Sequence, residues 1–154
     1  MKILGEKSLS AIVKRLLDLI FIGGIMITLS LPISLKWYLN HTYEGSNVKI
    51  YYFLIILLSV TGILALIIVN EIRKIFNTLK RKDPFVLGNV KSLKRMGIAA
   101  FLISFAYIFK IIFYNSFMTV IVLMVFVIAG FFSIILAEVF RQAVIFKEEN
   151  DLTI

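Results

Sequence analysis

The chain has 154 residues, of which 60% are hydrophobic, and it carries 17 basic against 9 acidic residues. Soluble domains are about 45–50% apolar, and a fold of this size could not hide so much apolar surface from water, so the composition indicates a protein surrounded by lipid. With no cysteine and a single histidine, disulfides and the usual zinc-ligand spacings are excluded. The net charge of +8 is compatible with nucleic-acid binding, but the basic residues flank apolar runs, which suits anionic lipid head groups better. We therefore predict a lipid bilayer as the partner of these charges and no direct nucleic-acid binding.

Four apolar runs dominate the sequence, and each is close to the ~20 residues that cross a hydrocarbon core. They cover residues 16–38, 50–70, 96–114 and 117–140. The sequence thus predicts an all-α, polytopic membrane protein, an antiparallel bundle of four transmembrane helices that forms one integral membrane domain over residues 1–154.

The first run follows a basic amphipathic segment, residues 9–16, whose apolar side chains recur at helical spacing. Such a segment can lie on the membrane surface before the chain turns inward. Trp37 and Tyr38 close the crossing as interfacial anchors. A short polar loop over residues 40–47, which contains His41, leads to the second crossing.

The second crossing has no clear end in the sequence, because an apolar stripe continues beyond Val69 as far as Leu79. We expect this helix to extend past the bilayer. Pro84 breaks it, since proline lacks a backbone amide and restricts the residue before it. We predict that the third helix begins near Ser92.

Residues 96–140 are almost continuously apolar. As a single helix they would span about 67 Å at ~1.5 Å per residue, whereas the hydrocarbon core is only ~30 Å thick. The segment must therefore fold back once, and Asn115-Ser116 is the polar break where we expect the turn.

Basic residues are distributed unequally between the two sides of these crossings. Fourteen lie in the N-terminal flank, the central loop over residues 71–95 and the tail over residues 141–154, whereas only Lys36, Lys49 and Lys110 lie on the other side. By the positive-inside rule, both termini and the central loop are cytosolic. The location that this predicts is the bacterial cytoplasmic membrane.

Ionisable residues at membrane depth are costly and require a reason. Asp18 and Glu138 each lie ~30 Å from the outer interface at ~1.5 Å per residue, which places them at the inner boundary. Lys14 and Arg15 are four and three residues from Asp18, and Arg141 is three from Glu138, so we predict boundary ion pairs. A proton- or ion-handling site is the alternative.

Small residues recur at near-helical spacing in three of the four runs, which marks where helices can approach closely in lipid. They are Ser59, Gly62 and Ala65; Gly97, Ala100 and Ser104; and Gly130, Ser133 and Ala137. A compact four-helix bundle explains them, and homo-oligomerisation through one of these faces is the alternative.

The sequence has no phosphate-binding glycine loop, nucleophile elbow or metal-ligand pair on one helix face. We therefore expect neither an enzyme nor a cofactor.

The acidic, partly apolar tail over residues 148–154 is unusual on a basic protein. It is either a frayed terminus or a short docking peptide.

Three elements of the sequence stand out: Asp83-Pro84-Phe85 with Asn89, then residues 93–97, and the closing string over residues 136–154. Together they resemble a bacterial family of small four-helix membrane proteins, the YoaS-like proteins, catalogued only as a domain of unknown function. Family members are often encoded beside a small helix-turn-helix regulator of the Cro/CI type. The resemblance therefore implies a membrane protein that binds or restrains a cytosolic transcription factor, and it brings no catalytic residues.

A basic DNA-binding domain could meet the acidic tail, and we predict docking through the loop over residues 81–89 and the tail. The candidate docking residues are Arg81, Asp83, Phe85, Asn89, Glu148, Glu149, Asn150, Asp151 and Leu152. A small transporter or channel component and an assembly factor for another membrane complex are the alternative functions.

Overall fold

A computed structural model describes the backbone of residues 4–42, 48–81 and 83–152, and the side chains within these ranges from residue 11 onward except that of residue 42. The described chain consists of four α-helices: α1 (Leu4–Thr42), α2 (Val48–Lys80), α3 (Leu87–Phe113) and α4 (Phe117–Leu152). All four are long and apolar enough to cross a membrane, so the protein is all-α and a multi-pass membrane protein. In lipid only helices and closed barrels satisfy every backbone hydrogen bond internally, which is why so apolar a sequence becomes helix almost throughout.

Helix α1 is longer than its apolar run and continues without interruption from Leu4 to Thr42. The amphipathic segment over residues 9–16 was predicted to lie on the membrane surface before the chain turns inward. In the structure this segment is part of the same continuous helix as the first crossing. Pro32 lies inside the helix, as transmembrane helices tolerate. The prediction that His41 lies in a loop is wrong, because it occupies the last turn, where its ring stacks on Trp37 with centroids 5.0 Å apart. The rest of the predicted loop, residues 43–47, lies outside the described residues.

Helix α2 extends to Lys80, as the continuing apolar stripe predicted. The third helix begins at Leu87, earlier than the predicted Ser92. Gly88 and Asn89 are weak helix formers, which is why the predicted start of the third helix was later than the observed one. In the structure the Asn89 amide donates to the Val86 carbonyl at 3.0 Å, and tertiary hydrogen bonds of the Asn89 side chain hold this first turn.

The turn between the third and fourth helices is confirmed, because α3 ends at Phe113 and α4 begins at Phe117. Helix α4 then continues to Leu152, well beyond the apolar run that ends at residue 140. Residues 141–152 are therefore helical rather than frayed, and the docking peptide stays a prediction. Residues 153–154 lie outside the described part of the chain.

Each helix packs closely on the helix that follows it, and within the described residues α1 makes no close backbone contact with α4. Contacts pair Gly24 with Leu66 and Gly62 with Thr28, so residue numbers rise along α1 as they fall along α2. The helices form an open row rather than the compact bundle that we predicted. Lipid tails are as apolar as leucine, so no hydrophobic force closes the row.

The small residues of α3 and α4 are buried, and two of them, Gly97 and Gly130, lie between these two helices. Gly97, Ala100, Ser104, Gly130, Ser133 and Ala137 are all buried. A Cβ added at Gly97 would lie 2.7 Å from Ile134 Cδ1 and 3.2 Å from the Gly130 carbonyl oxygen. Close backbone approach at glycine thus brings α3 and α4 together.

We expect Gly97→Val to lower the free energy of unfolding by about 1–3 kcal/mol, because the added atoms overpack the contact with Ile134 and Gly130. Thermal unfolding in detergent micelles, followed by circular dichroism, measures the change. Gly23→Val is the matched control, since a Cβ at Gly23 meets no atom within 4 Å. Equal stability of the two variants would contradict the role of Gly97.

Candidate functional site

A buried carboxylate joins α2 to α3 at the end of the molecule where the predicted cytosolic segments meet. Glu71 is only 3% exposed. Lys74 Nζ donates to its Oε1 at 2.7 Å, and Ser92 Oγ donates to its Oε2 at 2.6 Å. Arg95 Nη1 lies 3.5 Å from Oε1. Because a buried charge must be paired and hydrogen-bonded, these four side chains fix the register of the two helices.

The loop between α2 and α3 is tied down by a second buried polar group. Asn89 is 1% exposed, and its Nδ2 donates to Thr78 Oγ1 at 2.6 Å and to the Pro84 carbonyl at 2.7 Å. The prediction that Asn89 binds a partner is therefore wrong, because no partner can reach it in this conformation. Its amide instead holds the loop against the end of α2.

The boundary ion pair of Asp18 differs from the predicted one. Its Oδ1 lies 2.6 Å from Arg73 Nη2 on α2, so the pair joins two helices rather than lying within α1 with Lys14 or Arg15. The Arg73 guanidinium also lies 4.6 Å from the centroid of the Phe21 ring, a cation–π geometry. Spacing along one helix could not reveal this partner, because Arg73 is 55 residues away in sequence.

The second predicted boundary pair, between Glu138 and Arg141, is present in the structure. Arg141 donates to both carboxylate oxygens of Glu138, at 2.9 and 2.6 Å. Both side chains are nearly half exposed, and exposed pairs within one helix contribute little to stability. This pair is therefore an anchor at the boundary, not a structural bond between helices.

Near the opposite end of the molecule, Lys110 Nζ donates to the Thr119 hydroxyl at 2.9 Å. Thr119 is 1% exposed. This bond joins the last turn of α3 to the first turn of α4 across the hairpin, so Lys110 holds the turn as well as carrying charge there.

The central loop and the end of α4, predicted separately as docking elements, lie against each other. Lys147 Nζ donates to Asp83 Oδ1 at 2.8 Å, and the rings of Phe85 and Phe140 pack with centroids 5.5 Å apart. The hydrogen bond to Asp83 raises the pKa of Lys147. Asp83 and Lys147 are 64 residues apart in the sequence, so no local spacing could predict their pairing.

A groove of about 290 Å³ lies between this loop and the last turns of α4, and we name it the loop–tail groove. It is lined by Phe85, Val86, Leu87, Val144, Lys147, Glu148 and Asp151. Leu87 is 54% exposed and Phe85 42%, so apolar surface and two carboxylates face outward together. The arrangement suits a partner that is both basic and apolar.

The other predicted docking residues lie beside the groove rather than in it. Arg81 is exposed at the end of α2, and Glu149, Asn150 and Leu152 are exposed on the last turn of α4. They can widen a contact surface but do not shape the groove. Among the described residues there is no group of three or more histidine, aspartate or glutamate side chains that could hold a metal ion.

The family described as "Protein of unknown function (DUF2975)" matches residues 34–154, from the last turns of α1 to the C-terminus. No curated protein and no solved structure matches the chain.

We expect Glu71→Ala to lower the free energy of unfolding by about 1.5–3 kcal/mol, the range for hydrogen bonds to a charged group. The loss arises because Ser92 and two cations lose their shared acceptor between α2 and α3. Equilibrium unfolding in detergent measures it. Glu138→Ala removes the same charge from an exposed pair and should leave stability unchanged, and a comparable loss in that control would contradict the special role of Glu71.

Proposed function

Because the chain belongs to the DUF2975 family of proteins of unknown function, no activity comes with the family, and we propose that it is a regulatory membrane protein that binds a small cytosolic protein in the loop–tail groove. The observation that carries this proposal is the groove itself, in which two segments distant in sequence bring acidic and apolar side chains together. In this proposal the protein acts by binding, without catalysis or a cofactor.

Orientation is the first step of the proposal. The helices are 27 to 39 residues long, and a helix of that length spans about 40–58 Å at ~1.5 Å per residue, so parts of them extend beyond a ~30 Å hydrocarbon core. The basic flanks at the start of α1, the end of α2, the start of α3 and the end of α4 fall at one end of the molecule. The positive-inside rule assigns that end to the cytosol, with both termini.

The chemistry of the partner follows from the groove. Glu148 and Asp151 supply negative charge, and Phe85 and Leu87 supply exposed apolar surface. A helical surface that carries basic residues around an apolar strip would match both, and opposite charges favour encounter as well as register. The Asp83–Lys147 ion pair keeps the two walls of the groove together.

A small helix-turn-helix regulator, the partner that the family resemblance implies, would supply the basic part of such a surface, since its DNA-binding face is basic. Binding at the membrane would hold it away from DNA. The proposal is therefore sequestration of a cytosolic regulator, with the acidic end of α4 competing for the surface that contacts DNA phosphates.

We expect the full chain, crosslinked in native membranes, to recover a small helix-turn-helix protein, and truncation after Lys147 to abolish recovery. The truncation removes the groove acids Glu148 and Asp151 but leaves the Asp83–Lys147 pair. Purification after crosslinking and mass spectrometry identify the captured protein. Equal recovery with both forms, or recovery of no DNA-binding protein with either, would overturn the proposal.

Charge reversal separates the groove from the general acidity of the tail. Glu148→Lys with Asp151→Lys should reduce recovery at least tenfold, because both side chains line the groove and like charges would then repel a basic partner. Glu149→Lys is the matched control, since Glu149 lies between them in sequence but does not line the groove. If Glu149→Lys lowers recovery of the partner to the same degree, the acidic tail attracts the partner nonspecifically and the groove does not bind it.

Reporter fusions test the orientation. A fusion after Leu87 should be active with a cytosolic reporter, whereas one at Tyr43, which lies outside the described residues, should be active with a periplasmic reporter. Activity of a periplasmic reporter at Leu87 would reverse the predicted orientation, and the loop–tail groove could then not bind a cytosolic protein.

A further inference from the structure

A second groove lies between α1 and α2, away from the loop–tail groove, and also measures about 290 Å³. It is lined by Lys14, Leu17, Asp18, Asn70, Arg73, Lys74, Phe76 and Asn77. We name it the α1–α2 groove. Its lining is mainly polar and cationic, with Leu17 and Phe76 as the apolar members.

The charge in this groove is unbalanced. Three cations line it against one carboxylate, and Asp18 is neutralised by Arg73 at 2.6 Å. Lys74 pairs with Glu71 at 2.7 Å. Lys14 is the remaining cation, and the side chains that the structure describes give it no ion-pair partner. The groove therefore presents positive charge to an incoming anion.

The hydrogen-bonding groups in the groove are suited to an oxyanion. A guanidinium has five N–H donors in a fixed fork, and an ion pair with one carboxylate leaves some of them free. Asn70 and Asn77 add side-chain amides, and Lys14 adds an ammonium group. Phosphate oxygens accept several such bonds at once, and charged acceptors form the stronger ones.

Depth in the membrane identifies the source of the phosphate. Asp18 lies 20 residues from Tyr38 in one continuous helix, which corresponds to ~30 Å at ~1.5 Å per residue, the thickness of the hydrocarbon core. The α1–α2 groove therefore lies at the boundary where phospholipid phosphates lie. On the adjoining turn of α1, Leu19 and Ile20 are more than half exposed and offer an apolar surface to acyl chains.

We propose that the α1–α2 groove binds the phosphate of an anionic phospholipid head group, with Lys14 and Arg73 as its charged donors. Basic pockets between transmembrane helices are a recognised form of lipid-specific site. The site is independent of the partner proposed for the loop–tail groove, since it lies on the other pair of helices. The proposal also does not depend on which end of the molecule faces the cytosol.

The test uses the full chain in detergent, titrated with phosphatidylglycerol and followed by native mass spectrometry. We expect one tightly retained phosphatidylglycerol per chain and weak retention of phosphatidylcholine. Lys14→Gln should weaken the retained phosphatidylglycerol about fivefold, the effect of one basic residue near a membrane surface. Lys14 is exposed, so the variant should fold normally.

Arg15→Gln is the matched control, because Arg15 is the next residue of α1 and is exposed, but does not line the groove. Retention should be unchanged in this control. Equal weakening in both variants would show diffuse surface attraction and overturn the site. Inorganic phosphate forms the last arm: displacement of the lipid by millimolar phosphate, with the same dependence on Lys14, would assign the groove to free phosphate rather than lipid.

Discussion

The absence of water in the hydrocarbon layer is the constraint on which this structure depends. A backbone amide there finds a partner only within its own helix, and apolar side chains gain nothing by leaving lipid for protein. Helices form for the first reason, and for the second no hydrophobic force draws them into a closed bundle. The open row follows, since α1 needs only the contacts of α2, and close approach between α3 and α4 occurs where Gly97 meets Gly130 and Ile134.

Several polar bonds between helices lie together at one end of the molecule. Glu71, Asp18 and Asp83 each bind a residue of a neighbouring helix or segment there. These bonds hold the helix ends together as one unit. Both candidate binding surfaces are built on that unit, and they are spatially separate because an open row keeps the α1–α2 pair apart from the end of α4.

The two surfaces have opposite chemistry at the same end of the molecule. The α1–α2 groove presents cations to phosphate, whereas the loop–tail groove presents carboxylates beside exposed apolar side chains. An anionic membrane surface attracts the first and repels the second. Lipid binding at α1 and α2 would therefore favour a position in which the acidic end of α4 points away from the head groups.

Composition and periodicity were sufficient to determine the number of helices, their membrane character, the hairpin at Asn115-Ser116 and the small-residue face between α3 and α4, because each depends on local hydropathy or helical spacing. The Glu138–Arg141 pair was predictable for the same reason. The partner of Asp18, the burial of Asn89 and the contact between Asp83 and Lys147 were decided only by the tertiary structure. Each joins residues on different helices, and which helices become neighbours depends on packing in lipid, which leaves no periodic signal in the sequence.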